Sequence, residues 1–282
     1  VSYEYRSKKG NLLGTKVYDI FLLINGFVGI ILLGIAVGTF FTGADFRIDK
    51  NNLMDVSMPV ISTWQNPSHG LEAIVDWRNL LLGVTVFFLA RVQASLYFMN
   101  NIDDDTIYIR CRRQVLYNAI PFVVLFLTFV AVTLLSDGYE FADGSSEIYV
   151  RPYKYFFNLV EMPWVAVLFL AGVASVLYAI IRAAFATKWR LGIWFSGIGT
   201  VLVVLSLFFL AGYNNTPYYP SATDMQSSLT IYNSSSSLFT LEVMSVVSLL
   251  LPFVLGYIFY AWRAMDRAPI TELEMESGEH KY

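Results

Sequence analysis

The chain has 282 residues, of which 56% are hydrophobic and 15% are charged, and its mean hydropathy is +0.54. Soluble domains carry about 45–50% apolar and about 25% charged residues, so this composition is typical of a membrane protein. The net charge of −3 provides no basic surface for nucleic acid, which we exclude as a partner.

Six apolar segments are each long enough to cross a bilayer as an α-helix, which takes about 20 residues. In chain order, these predicted transmembrane spans cover residues 17–42, 80–99, 116–135, 162–186, 191–212 and 241–262. The apolar runs are continuous rather than alternating, which favours helices over the strands of a barrel. The sequence therefore predicts an all-α fold, a polytopic membrane helical bundle that forms a single integral membrane domain over residues 1–282.

Lysine and arginine residues are concentrated before the first predicted span, between the second and third, between the fourth and fifth, and after the sixth. The positive-inside rule places these segments in the cytoplasm. Both ends of the chain, including the tail 263–282, are therefore expected to be cytoplasmic. The longer outer loops are rich in Tyr and Trp, and we expect part of them to pack on the membrane surface or on a partner.

Three local features predict how particular helices begin, bend and approach one another. Gly34 and Gly38 form a small-xxx-small pair in the first span, which permits close contact with a neighbouring helix. The serine run 234–237 precedes the sixth span and is suited to cap it. Pro252 lies in the middle of that span and is expected to bend it, whereas Pro121 lies near the start of the third span and is not.

Polar side chains inside the spans are candidate functional residues, because a charge in a bilayer is energetically costly. Arg91 lies about eight residues, or about 12 Å, from the cytoplasmic end of the second span. It requires a carboxylate, a cluster of carbonyl groups or a quinone head group nearby, and a structural pair that locks two helices is the alternative. Gln93 and Glu242 are the other intramembrane polar candidates. Asp19, Glu161 and Glu242 lie at span ends, where partial hydration makes a charge tolerable and favours a structural role.

Other residue types limit the chemistry that this chain performs by itself. The two histidines, His69 and His280, lie outside the predicted spans, so the chain does not supply two histidine ligands to a haem in the bilayer. The single cysteine, Cys111, excludes an internal disulfide and a multi-cysteine metal site. Because phosphate loops, zinc-ligand spacings and nucleophile elbows do not occur either, the sequence assigns this chain no catalytic residue and no metal ligand.

Two stretches of the sequence resemble subunit II of the cytochrome bd-type quinol (ubiquinol or menaquinol) oxidases. The first is Tyr3-Glu4-Tyr5-Arg6-Ser7-Lys8, followed by Tyr18-Asp19 and by Gly34-Ile35-Ala36-Val37-Gly38. The second comprises Pro220-Ser221, Ser228-Leu229-Thr230, Asn233, Ser236-Ser237 and Thr240-Leu241-Glu242-Val243-Met244, and Gly83, Gln93 and Tyr97 match between them. Members of that family have eight helices, so the resemblance implies that the first two are missing here. The sequence departs from the family at Glu242, commonly Asn, and at Arg91, commonly apolar.

The resemblance implies an oxidoreductase complex in which subunit I holds haem b and haem d, oxidises quinol and reduces O2 to water. Subunit II would be haem-free, would scaffold subunit I and would help to conduct protons, in the inner membrane of a bacterial cell. The implied partners are subunit I, quinol, membrane lipid and a small accessory subunit, and a structural quinone is compatible with the resemblance. The rival functions are a secondary transporter or channel, and a membrane scaffold without catalysis.

The segment before the first span gives the resemblance a mechanistic expectation. Reduction of O2 consumes protons, and the matching acidic position in the family lies at a cytoplasmic proton entrance. Glu4, Lys8 and Asp19 are therefore the proton-path candidates, because a carboxylate exchanges a proton with little rearrangement and Lys8 would hold Glu4 ionised. A solvated charge pair that only satisfies the positive-inside rule is the alternative.

Overall fold

The computed structural model describes residues 2–6, 8, 13–49, 61–142, 147–186 and 189–265. The helices are α1 (Ser2–Arg6), α2 (Thr15–Thr42), α3 (Trp77–Asn101), α4 (Asp105–Leu135), α5 (Lys154–Glu161), α6 (Pro163–Phe185), α7 (Gly192–Gly212), α8 (Leu238–Ser248) and α9 (Leu251–Met265). The strands are β1 (Phe46–Asp49), β2 (Ile61–Trp64), β3 (Gly138–Phe141) and β4 (Ile148–Arg151). Most of the predicted tail 263–282, with His280, lies outside these described residues.

Six helical segments are long and apolar enough to cross a membrane: α2, α3, α4, α6, α7 and the pair α8–α9. The prediction of an all-α polytopic membrane protein is thereby confirmed. The sequence did not predict the two short antiparallel hairpins, in which β1 pairs with β2 and β3 pairs with β4. Both lie in loops on one side of the bundle, here called the hairpin side. The opposite side carries Arg6, Lys8, Lys16, Arg110, Arg112, Arg113, Arg182, Arg190 and Arg263, and is called the basic side.

Polar side chains fix the starts of three membrane helices by accepting backbone N–H groups that have no partner in the first turn. The Asp76 carboxylate accepts from Arg78 N at the start of α3, and the Asp104 carboxylate accepts from Ile107 N at the start of α4, with N···O distances of 2.8 and 2.6 Å. Ser237 accepts from Thr240 N and begins α8. The predicted capping of the sixth span by the serine run is therefore confirmed.

The sixth span is divided into α8 and α9 by a turn at Leu249 and Leu250. Pro252 has no N–H group, so the carbonyl of Ser248 lacks the donor that a continuous helix would give it. The backbone N–H groups of Leu249 and Leu250 bond instead to carbonyls three residues back. The bend expected from Pro252 is confirmed, whereas α4 continues through Pro121 as one helix.

Helices α3, α4, α6 and α7 surround a common apolar core. This core includes Val92, Leu96, Met99, Val115, Ala119, Phe122, Val176, Ala179, Ile180 and Ala183. Helix α2 packs along α3, outside this four-helix group. In contrast, the apolar window of α8–α9 has 0% of its residues buried against the described chain. Among the described residues, the fold therefore leaves one complete span without a buried residue, and it leaves most of the α2 surface outside the contact with α3 exposed.

Glycines allow α2 and α3 to touch through their backbones. A Cβ added at Gly34 would lie 2.6 Å from the Cα of Gly83, and one added at Gly38 would lie 2.5 Å from Oδ1 of Asn79. These distances are shorter than side-chain packing tolerates, so both positions require glycine. Gly26 belongs to the same helix but has nothing within 4 Å of its added Cβ. The contact made by Gly34 and Gly38 agrees with the small-xxx-small prediction.

The loops of the hairpin side form one layer around the segment 221–228. Ser221 Oγ donates to Phe46 O on β1, and Ser227 Oγ accepts from Ile48 N at 2.9 Å. Gln226 bonds both backbone groups of Ile148 on β4, accepting its N–H at 3.1 Å and donating to its carbonyl at 2.7 Å. A single segment thus supplies hydrogen bonds to both hairpins, which satisfies backbone groups that short two-stranded ribbons leave unpaired.

We predict that Gly34→Ala destabilises the protein by roughly 1–3 kcal/mol, the usual cost of overpacking, because the new methyl group collides with the α3 backbone. The matched control is Gly26→Ala, which adds the same methyl group to open space on the same helix and keeps the unfolding midpoint. The measurement is denaturant unfolding of the detergent-purified protein. Equal midpoints for the two variants would contradict the close α2–α3 contact.

Candidate functional site

The proton-path candidates lie together on the basic side, in two exposed ion pairs. Lys8 Nζ is 2.8 Å from Glu4 Oε1, and the two side chains are 54% and 66% exposed. This hydrogen bond and the charge of Lys8 lower the pKa of Glu4, and the same contact raises the pKa of Lys8. Arg6 Nε lies 2.6 Å from Asp19 Oδ1 and ties α1 to α2. The structure therefore places Glu4, Lys8 and Asp19 in one neighbourhood, with Arg6 as an additional member.

Arg91 contacts the neighbouring helix α4 through an amide. Its Nε donates to Oδ1 of Asn118 at 2.8 Å, and its guanidinium carbon lies 5.8 Å from the ring centroid of Phe87. No carboxylate forms an ion pair with Arg91 among the described residues. The observed partner is a neutral amide on an adjacent helix, as in the alternative of a structural pair that joins two helices, and the Arg91 side chain itself is exposed.

Gln93 points to a different helix from Arg91, although both belong to α3. Its Nε2 donates to Oγ1 of Thr200 on α7 at 2.7 Å, and Thr200 donates to Ser196 O at 2.8 Å. The Ser196 hydroxyl is buried and has no hydrogen-bond partner among the described residues. Two positions apart on a helix differ by about 200° in direction, so the two side chains connect α3 to separate neighbours. They do not form one site.

Glu242 lies on α8 at the hairpin side and is exposed. Within the ranges that the structure describes, its carboxylate has no hydrogen-bond or ion-pair partner. It is therefore remote from the ion pairs of the basic side and from the amide contacts of α3. The structure brings Glu4, Lys8 and Asp19 together and leaves Glu242 isolated.

An apolar cavity of about 130 Å³ lies between α3, α4, α6 and α7. Its lining includes Phe122, Phe126, Val176 and Thr200, and the Thr200 hydroxyl is already bonded to a backbone carbonyl. A cavity of about 150 Å³ with an apolar lining is large enough to bind benzene. This space therefore accommodates a ring or a short hydrocarbon segment, and nothing in its wall holds a charge.

The sequence did not reveal a polar network on the hairpin side. Lys154 is 0% exposed, and its Nζ donates to Glu140 Oε1 at 2.9 Å and to Asn214 O at 2.7 Å. Arg151 pairs with both Glu140 and Glu161, at 3.0 and 2.9 Å. Burial lowers the pKa of Lys154, and the ion pair with Glu140 opposes that effect. A buried lysine needs such a partner. The network therefore holds β3, β4 and α5 against Asn214, in the loop that follows α7.

The only sequence signal for this network is the density of charges between residues 140 and 161, just before the fourth predicted span. In a loop, charges are ordinarily solvated, so that density gives no indication of burial. Asn158 is fully buried as well and donates to Leu210 O at 2.9 Å and to Thr216 Oγ1 at 2.8 Å. Partners 52 and 58 residues away are set by the packing of α5 on α7.

The fold and these contacts define a polytopic α-helical membrane protein whose helices are joined by polar side chains and whose charged N-terminal segment lies on the basic side. The chain belongs to the cytochrome bd terminal oxidase subunit II family, whose model matches residues 1–265. This match confirms the resemblance found in the sequence. It also covers both the N-terminal ion pairs and the α3 contacts described above.

Two relatives show the same relationship at low identity. The chain is 25% identical to the cytochrome bd-I ubiquinol oxidase subunit 2 of Escherichia coli (strain K12), over 294 aligned positions that cover 99% of this chain and 73% of that protein. It is 24% identical to the probable cytochrome oxidase subunit 2 of Haemophilus influenzae, over 277 positions covering 94% of this chain and 69% of the relative. The similarity therefore extends along the whole described bundle.

We predict that acidification destabilises the hairpin side, with Glu161 as one cause. The pKa of Glu161 lies below its ordinary value of 4.5, because Asn214 and Arg151 bond its ionised form. The contribution of Glu161 to the free energy of unfolding is therefore fully present above pH 4.5. It is lost as the pH falls from 4.5 through the lowered pKa. Unfolding midpoints measured across this range should fall less in Glu161→Gln than in the wild type.

The matched control is Asp137→Asn, which removes an exposed carboxylate that has no bonded partner among the described residues of the same side. In this variant the unfolding midpoint should depend on pH as it does in the wild type. A Glu161→Gln profile that parallels the wild type would show that the contacts of Glu161 contribute nothing to stability.

Proposed function

We propose that this chain is the haem-free subunit II of a quinol-oxidising, oxygen-reducing membrane complex. The observation that carries the proposal is the family match along residues 1–265. An independent sequence observation supports it: the only histidines are His69 and His280, and neither lies in a membrane span, so the chain has no histidine to ligate a haem there. Haem b, haem d and the quinol-oxidising site then belong to the partner, subunit I, and the enzymatic activity is that of the complex.

The proposed location is the inner membrane of a bacterial cell, with the basic side facing the cytoplasm. The distribution of Lys and Arg supports this orientation through the positive-inside rule. In this orientation both ends of the chain are cytoplasmic, and the layer of hairpins faces the opposite compartment. Glu4, Lys8 and Asp19 are then on the side from which protons for oxygen reduction are taken.

The proposed scaffolding role rests on apolar surface that lacks a protein neighbour in the described chain. In α2, 11% of the apolar window is buried, and in α8–α9 the value is 0%. Subunit I is the proposed occupant of such helix faces, with lipid covering the remainder. Helix contacts in a bilayer depend on close packing, and the bend at Pro252 gives α8–α9 a shape that a straight helix would not match. A small accessory subunit would occupy a further part of this surface.

The proposed proton path begins at Glu4. The nearby Lys8 lowers the pKa of Glu4, so the carboxylate returns to its ionised form once a proton has been passed on. Its exposure gives it contact with bulk water, and the Arg6–Asp19 pair supplies a second carboxylate at the start of α2. These residues are proposed to pass protons toward subunit I. The competing role is a solvated pair of charges, which has little effect on stability or activity.

For a structural quinone, the proposal is that only part of its tail lies inside the bundle. The apolar cavity between α3, α4, α6 and α7 is about 130 Å³, which suits a segment of an isoprenoid tail. A substituted quinone ring together with its tail exceeds that volume. The head group would therefore lie outside the cavity if a quinone tail enters it.

We predict that the chain co-purifies with a larger haem-bearing subunit after mild detergent extraction. The reduced-minus-oxidised spectrum of the purified complex should contain haem b and haem d bands that elute with this chain. A colourless complex that transports a solute would instead support the rival assignment as a secondary transporter or channel. A stable, monomeric chain without a partner would contradict the scaffolding role.

We predict that Glu4→Gln lowers quinol oxidase turnover several-fold in a complex with normal haem content, most strongly at alkaline pH, where protons are scarce. Lys8→Met removes the cause of the lowered pKa of Glu4, so its pH profile should shift to higher pH. Asp137→Asn, an exposed carboxylate of the hairpin side, is the control and should keep normal turnover. Unchanged turnover in Glu4→Gln at every pH would remove its role in proton uptake, and loss of haem would indicate a structural role.

A further inference from the structure

Arg91, on α3, retains most of its hydrogen-bonding capacity. A guanidinium carries five N–H donors, and only the Nε donor is used here, in the bond to Asn118 Oδ1. No hydrogen bond from Nη1 or Nη2 to another described residue occurs, and the side chain is exposed. Phe87 lies beside the guanidinium, 5.8 Å from its carbon. The planar fork of terminal donors is therefore available to a ligand outside the chain.

The neighbouring helix holds this guanidinium in a fixed orientation. Asn118 is 6% exposed, and its Nδ2 donates to Gln114 O at 2.6 Å and to Gln114 Oε1 at 3.2 Å. These two bonds determine which end of the Asn118 amide faces Arg91, so Oδ1 is the acceptor that Arg91 meets. A preoriented guanidinium loses less conformational freedom when it binds an anion. This arrangement is that of a prepared anion-binding group.

The contact with α4 also shows how deep Arg91 lies. Asn118 is only one turn, about 6 Å, from Gln114, the last residue of the polar stretch that contains Arg112 and Arg113. Along α3, the distance from Arg91 to the predicted cytoplasmic end of the second span is about 12 Å. The two helices thus place Arg91 between about 6 and about 12 Å from the boundary between hydrocarbon and head groups. An arginine side chain at this depth reaches the phosphate level.

A second cation lies on the same edge of α4. Arg110, Gln114 and Asn118 are spaced by four residues, so they follow one another along one side of the helix. Arg110 and Gln114 are exposed. Along this edge, the Arg110 guanidinium is nearest to the water and the Gln114 amide is next. The Arg91 guanidinium is the deepest of the three. Two cations and an amide thus lie along this edge, and neither cation forms an ion pair with a carboxylate among the described residues.

We propose that Arg91, Gln114 and Arg110 bind the phosphate of an acidic phospholipid in the membrane leaflet of the basic side. Arginine matches phosphate oxygens with two parallel N–H donors, and basic pockets between membrane helices bind acidic lipid head groups. The depth argues against a group at the bilayer midplane. The side chains of Arg91 and Gln114 are both exposed, which gives lipid direct access to them. This site depends on the membrane topology and not on the proposed oxidase function.

The test measures lipid binding to the detergent-purified, delipidated complex by native mass spectrometry. Phosphatidylglycerol should bind about tenfold more tightly than phosphatidylcholine of the same chain length, because both lipids carry a phosphate but the choline cation of phosphatidylcholine is repelled by the guanidinium groups. Arg91→Gln should weaken phosphatidylglycerol binding about tenfold and reduce its preference over phosphatidylcholine. Arg182→Gln, which removes an equal charge from the same side at the end of α6, is the matched control and should bind as the wild type does.

Arg91→Lys keeps the charge and loses the fork, so it should retain an intermediate affinity, and it replaces Arg91→Gln if that variant fails to assemble. Equal affinity for the two lipids, or undiminished phosphatidylglycerol binding in both Arg91 variants, would overturn the proposal. Displacement of the lipid by inorganic phosphate at millimolar concentration would assign the site to free phosphate. A photo-crosslinking residue in place of Ala94, one turn away on the exposed face, should react with lipid. If this residue instead crosslinks to a carboxylate-bearing segment of a partner protein, the lipid site is also refuted.

Discussion

A polar side chain within a membrane span is energetically costly without a partner, because hydrocarbon offers neither hydrogen bonds nor counter-ions. This constraint organises the bundle. Arg91 bonds to Asn118 on α4, and Gln93 bonds to Thr200 on α7, so α3 is joined to two neighbours in different directions. Glycines at the α2–α3 contact bring the backbones together on a third face. Helix α3 is therefore in direct contact with α2, α4 and α7.

The same requirement acts differently on the hairpin side, where water is available but several polar groups are nevertheless buried. Lys154 is covered completely and depends on Glu140 and a backbone carbonyl for compensation. Removal of one partner from such a pair leaves an uncompensated charge, which is more costly than loss of the contact alone. The hairpins and α5 are thus held as one layer by specific polar bonds rather than by a large apolar core. This layer gives the ends of the membrane helices a fixed arrangement.

The uneven burial of the spans connects the fold to the proposed function. Four helices share a core, whereas α8–α9 has no packed face in the described chain. In a lipid bilayer an apolar helix has no need of a protein neighbour, so exposure by itself does not identify a partner. Membership of the oxidase subunit II family is the reason to propose subunit I as the partner at this surface. The two histidines of the sequence, His69 and His280, lie outside the membrane spans, which is consistent with that proposal.

The sequence by itself determined the six spans, the charge asymmetry and the family, since hydropathy, Lys and Arg positions and short motifs are all local properties of the chain. Local signals also identified the Ser237 cap and the bend at Pro252. Only the tertiary structure decided which polar groups meet, because Arg91 and Asn118 are 27 residues apart and Gln93 and Thr200 are 107 apart. Such pairs depend on the rotation and depth of neighbouring helices. For that reason the burial of Lys154 and the identity of the partner of Arg91 could not be read from spacing along one helix.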